Sequence, residues 1–172
     1  MARAIFWGPY MADTNKIQDA HLEDFLRDLS SEDGRAGSGA AGAIALAMAA
    51  ACAAKAAAIT LRHEPANVQL RQARKQLLTC IGSAIEGSND DSERFRQFLR
   101  HRSSQAAKRV ISADQKLLGL VNELAEILEA LDPKIRQSVA GDLVAARALS
   151  DAARAIQIEN IAEMREARTK QK

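Results

Sequence analysis

Between residues 36 and 61 the chain carries a single charge, Lys55, in a stretch made mostly of alanine. Alanine is the best intrinsic helix former, so one secondary structure dominates here. Its side chains also let neighbouring helices approach closely, because the distance between helix axes depends on the residues at the contact. The stretch therefore predicts a long, alanine-rich central helix over residues 40–61. A bilayer span is the competing expectation, but alanine contributes little transfer energy and a lysine near the centre costs about 2.5–3.5 kcal/mol on the insertion scale. The balance favours a helix buried in protein, with no membrane partner.

The rest of the chain repeats the helical theme. No run alternates apolar and polar positions among branched or aromatic residues over strand length, so the expected fold is all-α, a multihelical bundle. Ile17, Leu22, Phe25, Leu26 and Leu29 form one stripe, behind capping residues at Asp13, Thr14 and Asn15. Glycine and small polar residues then break the chain over 30–39. Pro65 is placed to open the next helix, whose inward face reads Leu70, Ala73, Leu77, Ile81 and Ala84. Gly87, Ser88 and Asn89 are expected to end it. A short helix over 90–102 would hold Phe95, Phe98 and Leu99 inside, and residues 103–110 read equally as helix or loop. Leu117, Val121, Leu124, Leu128 and Leu131 form a packed seam that Asp132-Pro133 stops. A last helix is expected over 134–169, irregular near Gly141 and charged from Glu163 onward. The 172 residues suit one domain, taken as 16–172, with 1–15 as an N-terminal extension that lacks the apolar core of a secretory signal.

Charge and composition narrow the function classes. The 24 basic and 22 acidic residues are interspersed and leave a net charge of +2, so no long-range field gathers a polyanion. Aromatic residues make up only 3% of the chain, which leaves no stacking platform for single-stranded nucleic acid. Nucleic acid is not an expected partner. Cys52 and Cys80 form no CxxC and lie at no metal-ligand spacing from His21, His63 or His101. They read as small buried hydrophobes of a cytoplasmic protein, and no metal or tightly bound cofactor is expected.

Four groups of residues are placed for chemistry. Gly37, Ser38 and Gly39 lead into the alanine-rich helix, where free backbone N–H groups and the positive helix end can hold an anion or developing oxyanion; the same glycines also suit a plain turn. Lys55 falls on the stripe of Ile44, Met48, Cys52 and Ile59 at about 100° per residue, either snorkelling to the surface or held in a buried ion pair, or else a cation for an anionic ligand. Asp142, among small apolar residues, suits general acid/base work if buried, or caps a helix after Gly141. Asn160 faces the same way as Asp142 but about 27 Å further along an unbroken helix, so one subunit cannot bring both to one site without a break. Asp90 and Asp91 open a predicted helix, where capping is the simpler role.

Taken in order, these segments resemble the family of formimidoyltetrahydrofolate cyclodeaminases and methenyltetrahydrofolate cyclohydrolases. Phe25-Leu26-Arg27-Asp28-Leu29-Ser30 resembles that family's opening helix, Ala36-Gly37-Ser38-Gly39-Ala40 its glycine loop, and Asp91 with Phe95 its acidic-aromatic segment. Asp142, Val144-Ala145 and Asn160-Ile161 follow its closing pattern. The chain departs at Ala36, Ser38, Ala40 and Gly141, where the family has proline, glycine, serine and serine, and at Lys55, where it has an apolar residue. The resemblance implies a homodimer acting on a tetrahydrofolate derivative without a metal, by loss of ammonia from 5-formimidoyltetrahydrofolate or hydrolysis of the methenyl ring. It also implies Asp142 as acid/base, Gly37, Ser38 and Gly39 as backbone donors, Asn160 and Asp91 as orienting groups, and Lys55 as a partner for a folate carboxylate. The alternative is a degenerate member that only binds folate or another helical subunit.

Overall fold

Residues 22–34 and 36–169, the part of the chain described by the structure, a computed structural model, are almost entirely helical and contain no strand. The helices are α1 (Leu22–Leu29), α2 (Ser38–His63), α3 (Val68–His101), α4 (Ser104–Leu131) and α5 (Ala140–Thr169). The capping residues Asp13, Thr14 and Asn15, and also Ile17 and His21, lie outside the described residues. Helices α2 to α5 run alternately up and down, each packed on its chain neighbours, and α5 closes the square against α2. Short connections force this antiparallel order.

Local chemistry accounts for the boundaries. Asn67 caps α3 by accepting the Leu70 N–H at 3.1 Å, so Pro65 sits in the preceding turn rather than inside the helix. Ser103 caps α4 by accepting the Ala106 N–H at 3.2 Å, which makes 104–110 helical. Between α4 and α5 the backbone tightens into two 3-10 turns, Asp132–Lys134 and Gln137–Val139; α5 thus starts later than residue 134 and the expected irregularity precedes Gly141.

The expected break at Gly87, Ser88 and Asn89 does not occur; α3 runs through it for 34 residues. Gly87 is there for packing, since a Cβ would lie 2.6 Å from a Leu117 methyl carbon. Ser88 is buried and donates to the Ala40 carbonyl at 3.4 Å. Small residues that read as punctuation are the places where α4 and α2 press on α3. Leu99, expected inside, is 50% exposed.

Helix α2 turns mostly alanine inward, with Leu46 its one large apolar side chain fully buried. Ala43, Ala49, Ala50, Ala53, Ala56 and Ala57 are fully buried, whereas Met48 is 46% exposed, Lys55 is exposed, and Ile44, Cys52 and Ile59 are half-buried. The stripe carrying Lys55 is therefore the outward one. Among the described residues α2 alone is long and apolar enough to cross a membrane, and half of its most apolar window is buried against its neighbours. The main core joins Ala43, Ala49, Ala50, Ala53 and Ala56 to Leu70, Leu77, Leu117, Val121, Leu124 and Leu143. A second, smaller cluster of Phe98, Ala106, Ala107 and Val110, with Phe95 and Met164 against it, lies at one end of the bundle.

That end matters because α2 stops short of it. Its first turn lies level with Asp91, Asp114 and Asn160, each about ten residues from the nearby end of α3, α4 or α5. Those three helices overrun α2 by about 15 Å. Helix α1 holds the chain that enters the gap: Asp28 accepts the Ala36 N–H at 2.7 Å. Gly34 passes so close to the Asp28 carbonyl oxygen that a Cβ would lie 1.8 Å from it, so only glycine fits.

Candidate functional site

The gap beyond α2 is a cleft of about 90 Å³, lined by Gly37, Ser38, Gly39, Asp91, Phe95, Val110, Asp114, Asn160, Glu163 and Met164. Its apolar wall comes from the smaller core cluster. Its polar wall is where most of the expected site residues meet. Ser38 Oγ donates to Asn160 Oδ1 at 2.7 Å, tying the start of α2 to α5 across 122 positions of sequence. Gln157 Nε2 donates to the Gly39 carbonyl at 3.2 Å. Gly39 allows the Asp91 carboxyl to sit directly on the helix, since a Cβ would stand 2.3 Å from Asp91 Oδ2. With glycine at Gly37 as N-cap and no side chain capping it, Asp91 itself accepts the Ala40 N–H and supplies the negative charge that a helix start favours.

Asp114, on α4, faces Asp91. It is fully buried, and the hydrogen bond it forms is with the Asp91 carboxyl; no protein donor among the described residues reaches either of its oxygens. Two carboxyls in contact cannot both ionise cheaply, so the pair holds a proton. Burial pushes Asp91 up to about 6, opposed by its hydrogen bonds to Asp114 and the Ala40 backbone and by the Arg94 charge. Burial, then the charge of and hydrogen bond with Asp91, push Asp114 up to about 8. Near neutrality the dyad thus presents one carboxylate and one carboxylic acid side by side, the arrangement that general acid/base chemistry uses.

Lys55 and Asp142 lie elsewhere. They pair with each other at 3.0 Å, Lys55 with its side chain 64% exposed, and neither lines the cleft. Helix α5 is unbroken, so Asp142 stays about 27 Å from Asn160. An exposed pair of this kind contributes at most about 1 kcal/mol. Lys55→Met is accordingly expected to change the melting temperature little and to leave turnover at the cleft within about twofold, which thermal denaturation and a steady-state assay would check. Asp90, the other half of the acidic dipeptide, points out to Arg94 at 2.9 Å. His63 and His101 are exposed. No metal-holding group of three or more His, Cys, Asp or Glu occurs among the described residues.

Sequence reasoning did not single out Asp114, Glu163 or Gln157. The signal for Asp114 was present: Val110, Asp114, Leu117 and Val121 follow one helical face, so extending the seam of α4 backward by one turn places a carboxylate on its buried side. Gln157 occupies the inward face of α5 between Ala153 and Ile161 and offered the same kind of clue. Glu163 sits in a run of charges and carries no such mark.

Comparison with known proteins agrees with this architecture. The crystal structure of a formiminotetrahydrofolate cyclodeaminase from Thermotoga maritima superposes with a TM-score of 0.81, covering 91% of this chain and 90% of that one at 19% sequence identity. At that identity the likeness establishes a shared fold. No curated protein sequence matches the chain significantly. The model of the Formiminotransferase-cyclodeaminase family matches residues 21–163, a span that includes all the cleft residues named above except Met164, and the chain belongs to that family.

Proposed function

We propose that this chain is a folate one-carbon enzyme, a formimidoyltetrahydrofolate cyclodeaminase, and that the Asp91–Asp114 pair is its acid/base. The observation that carries the reading is the pair itself: two buried carboxyls facing each other, set against the Gly37-Ser38-Gly39 turn in a cleft of the family's domain. Cyclodeamination needs one group to take a proton and one to give it, which such a pair can supply. N10 of the substrate attacks the formimidoyl carbon and a C–N bond forms. The N10 proton passes to the ionised carboxyl, the protonated carboxyl gives its proton to the departing nitrogen, and the second C–N bond breaks to release ammonia. The positive charge of the protonated formimidoyl group ends on the methenyl bridge, so charge and atoms balance. One proton enters the pair and one leaves, which returns it to its starting state. The Ser38–Asn160 hydrogen bond would orient the folate ring system at the mouth.

The homodimer belongs to the same proposal. Support comes from the outward apolar positions of Met48, 46% exposed on α2, and Leu78, 49% exposed on α3; sedimentation equilibrium at a dimer mass checks it. The direct test adds purified protein to 5-formimidoyltetrahydrofolate and, separately, to 5,10-methenyltetrahydrofolate, and follows the methenyl chromophore against a no-protein control. Accelerated appearance is expected. Accelerated loss of the methenyl compound alone would identify a cyclohydrolase, in which water takes the place of N10 as the nucleophile activated by the pair. No acceleration of either would leave a protein that binds without catalysing.

A further inference from the structure

Gln157 is buried on α5 in a way that packing alone does not explain. The residue is fully buried, yet its amide makes one hydrogen bond, from Nε2 to the Gly39 carbonyl at 3.2 Å, and its Oε1 has no partner among the described residues. A buried polar atom left unpaired destabilises a fold, and an apolar side chain of similar bulk would avoid it. The Gly39 carbonyl has no need of the bond, because helix geometry already brings it the Ala43 N–H. Helix α2 nonetheless makes room for this amide: a Cβ on Gly42 would stand 2.7 Å from Gln157 Nε2 and 2.9 Å from Ile156 Cγ2. Glycine at 39 thus admits Asp91, and glycine at 42 admits Gln157.

The Gly39 carbonyl and the Ala40 N–H are the two ends of one planar peptide group. Gln157 donates to the first end, and the second donates to Asp91. We propose that Gln157 is a positioning residue, which through this single peptide aims and strengthens the Ala40 N–H at Asp91 and so decides which carboxyl of the pair carries the negative charge. A peptide whose oxygen accepts a hydrogen bond becomes a better donor at its nitrogen, since bonds in a chain polarise one another. Ser88 marks the contrast. It donates at 3.4 Å to the Ala40 carbonyl, which belongs to the next peptide, and the N–H of that peptide closes the first helical turn on the Gly37 carbonyl at 3.1 Å. The charges that face Asp91 are Asp114 from α4, Arg94 from α3, Glu163 from α5 across the cleft and the positive start of α2; Gln157 adds none. Its effect is to favour charge on Asp91 and leave the proton on Asp114. The consequence for turnover rests on the acid/base reading of the pair, whereas the consequence for protonation does not.

The ionisation of the pair is followed by carbon-13 NMR of the aspartate carboxyls, in the full-length protein without folate. Gln157→Leu should weaken the first ionisation about threefold, moving it to higher pH. Ser88→Ala loosens the start of α2 equally but touches the wrong peptide, and should leave that ionisation where it is. Gly42→Ala, whose added methyl pushes the Gln157 amide off the carbonyl, should weaken it in the same direction and decides the matter if Gln157→Leu does not fold by circular dichroism. An unmoved ionisation in the folded variant, or an equal movement in Ser88→Ala, would overturn the proposal. Turnover of 5-formimidoyltetrahydrofolate supplies a second readout: the acidic limb of kcat/KM should move up with the ionisation in Gln157→Leu. A parent without turnover would remove the enzyme reading and leave the titration to decide the role of Gln157. An active parent with an unmoved ionisation in Gln157→Leu would do the reverse.

Discussion

Asp114→Asn is expected to yield a folded protein that converts 5-formimidoyltetrahydrofolate about 10²- to 10⁴-fold more slowly than the parent, the range associated with losing a positioned acid or base. Asparagine preserves the shape of the side chain but has no proton to give to the departing nitrogen. The burial that raises Asp114 to about 8 is the same burial that makes it an acid at neutral pH, so the substitution removes the one group in the cleft held protonated there. A steady-state assay on the purified variant decides the matter. Turnover equal to the parent's would remove Asp114 from the mechanism and leave Asp91 without its partner in catalysis.

The same variant has an expected signature in stability, and its sign is opposite to that of a salt-bridged aspartate. Both carboxyls have folded values, about 6 for Asp91 and about 8 for Asp114, above the ordinary 3.8. The folded protein therefore holds protons that the unfolded chain releases, and stability falls with rising pH across this window. The contribution is fully present below about pH 4 and is lost as pH passes through about 6 and then about 8. The parent's melting temperature should decline from pH 5 to pH 9, by an amount on the order of a few kcal/mol in stability. Asp114→Asn removes the like charge facing Asp91 and should flatten the decline. A parent whose stability rises over that range would show that the pair is not buried as described.

How much of this was legible in the sequence depended on whether a residue's role was local. The seam from Leu117 to Leu131 was readable because one helix face at helical spacing specifies its own burial, and all five of its residues are buried. Asp91, Asn160 and the glycine turn were readable from their order along the chain, and they do meet. Gly87 and Ser88 misled because a small residue where a neighbouring helix presses close looks, in one dimension, like a small residue at a helix end. Asp142 and Lys55 were each conspicuous as a lone charge in an apolar stretch, and that feature has a plain physical resolution: they neutralise each other at 3.0 Å. The burial of Asp114 could be read by extending the seam of α4, but its partner could not, because the carboxyl it faces stands on another helix.

Ala53→Leu should be the more damaging of two equal substitutions on α2. Ala53 is fully buried in the main core, where its methyl group keeps the neighbouring helices close to α2. Extra methylenes there have no void to enter, and overpacking costs about 1–3 kcal/mol, occasionally more. Ala51→Leu places the same atoms on the outward stripe, where Ala51 is exposed, and should stay within about 0.5 kcal/mol of the parent. For a domain of this size 1 kcal/mol moves the melting temperature by about 2–4 °C, so the two variants are readily separated by thermal denaturation. A second consequence follows from geometry. The start of α2 is a wall of the cleft, fixed by the Ser88 and Gln157 hydrogen bonds to the Ala40 and Gly39 carbonyls. Displacing α2 outward strains both, so Ala53→Leu should also slow turnover while Ala51→Leu does not. Equal stability and activity in the two variants would mean that the alanine face of α2 is not the one that sets the spacing of the bundle, and that the cleft owes its shape to the overrunning helices alone.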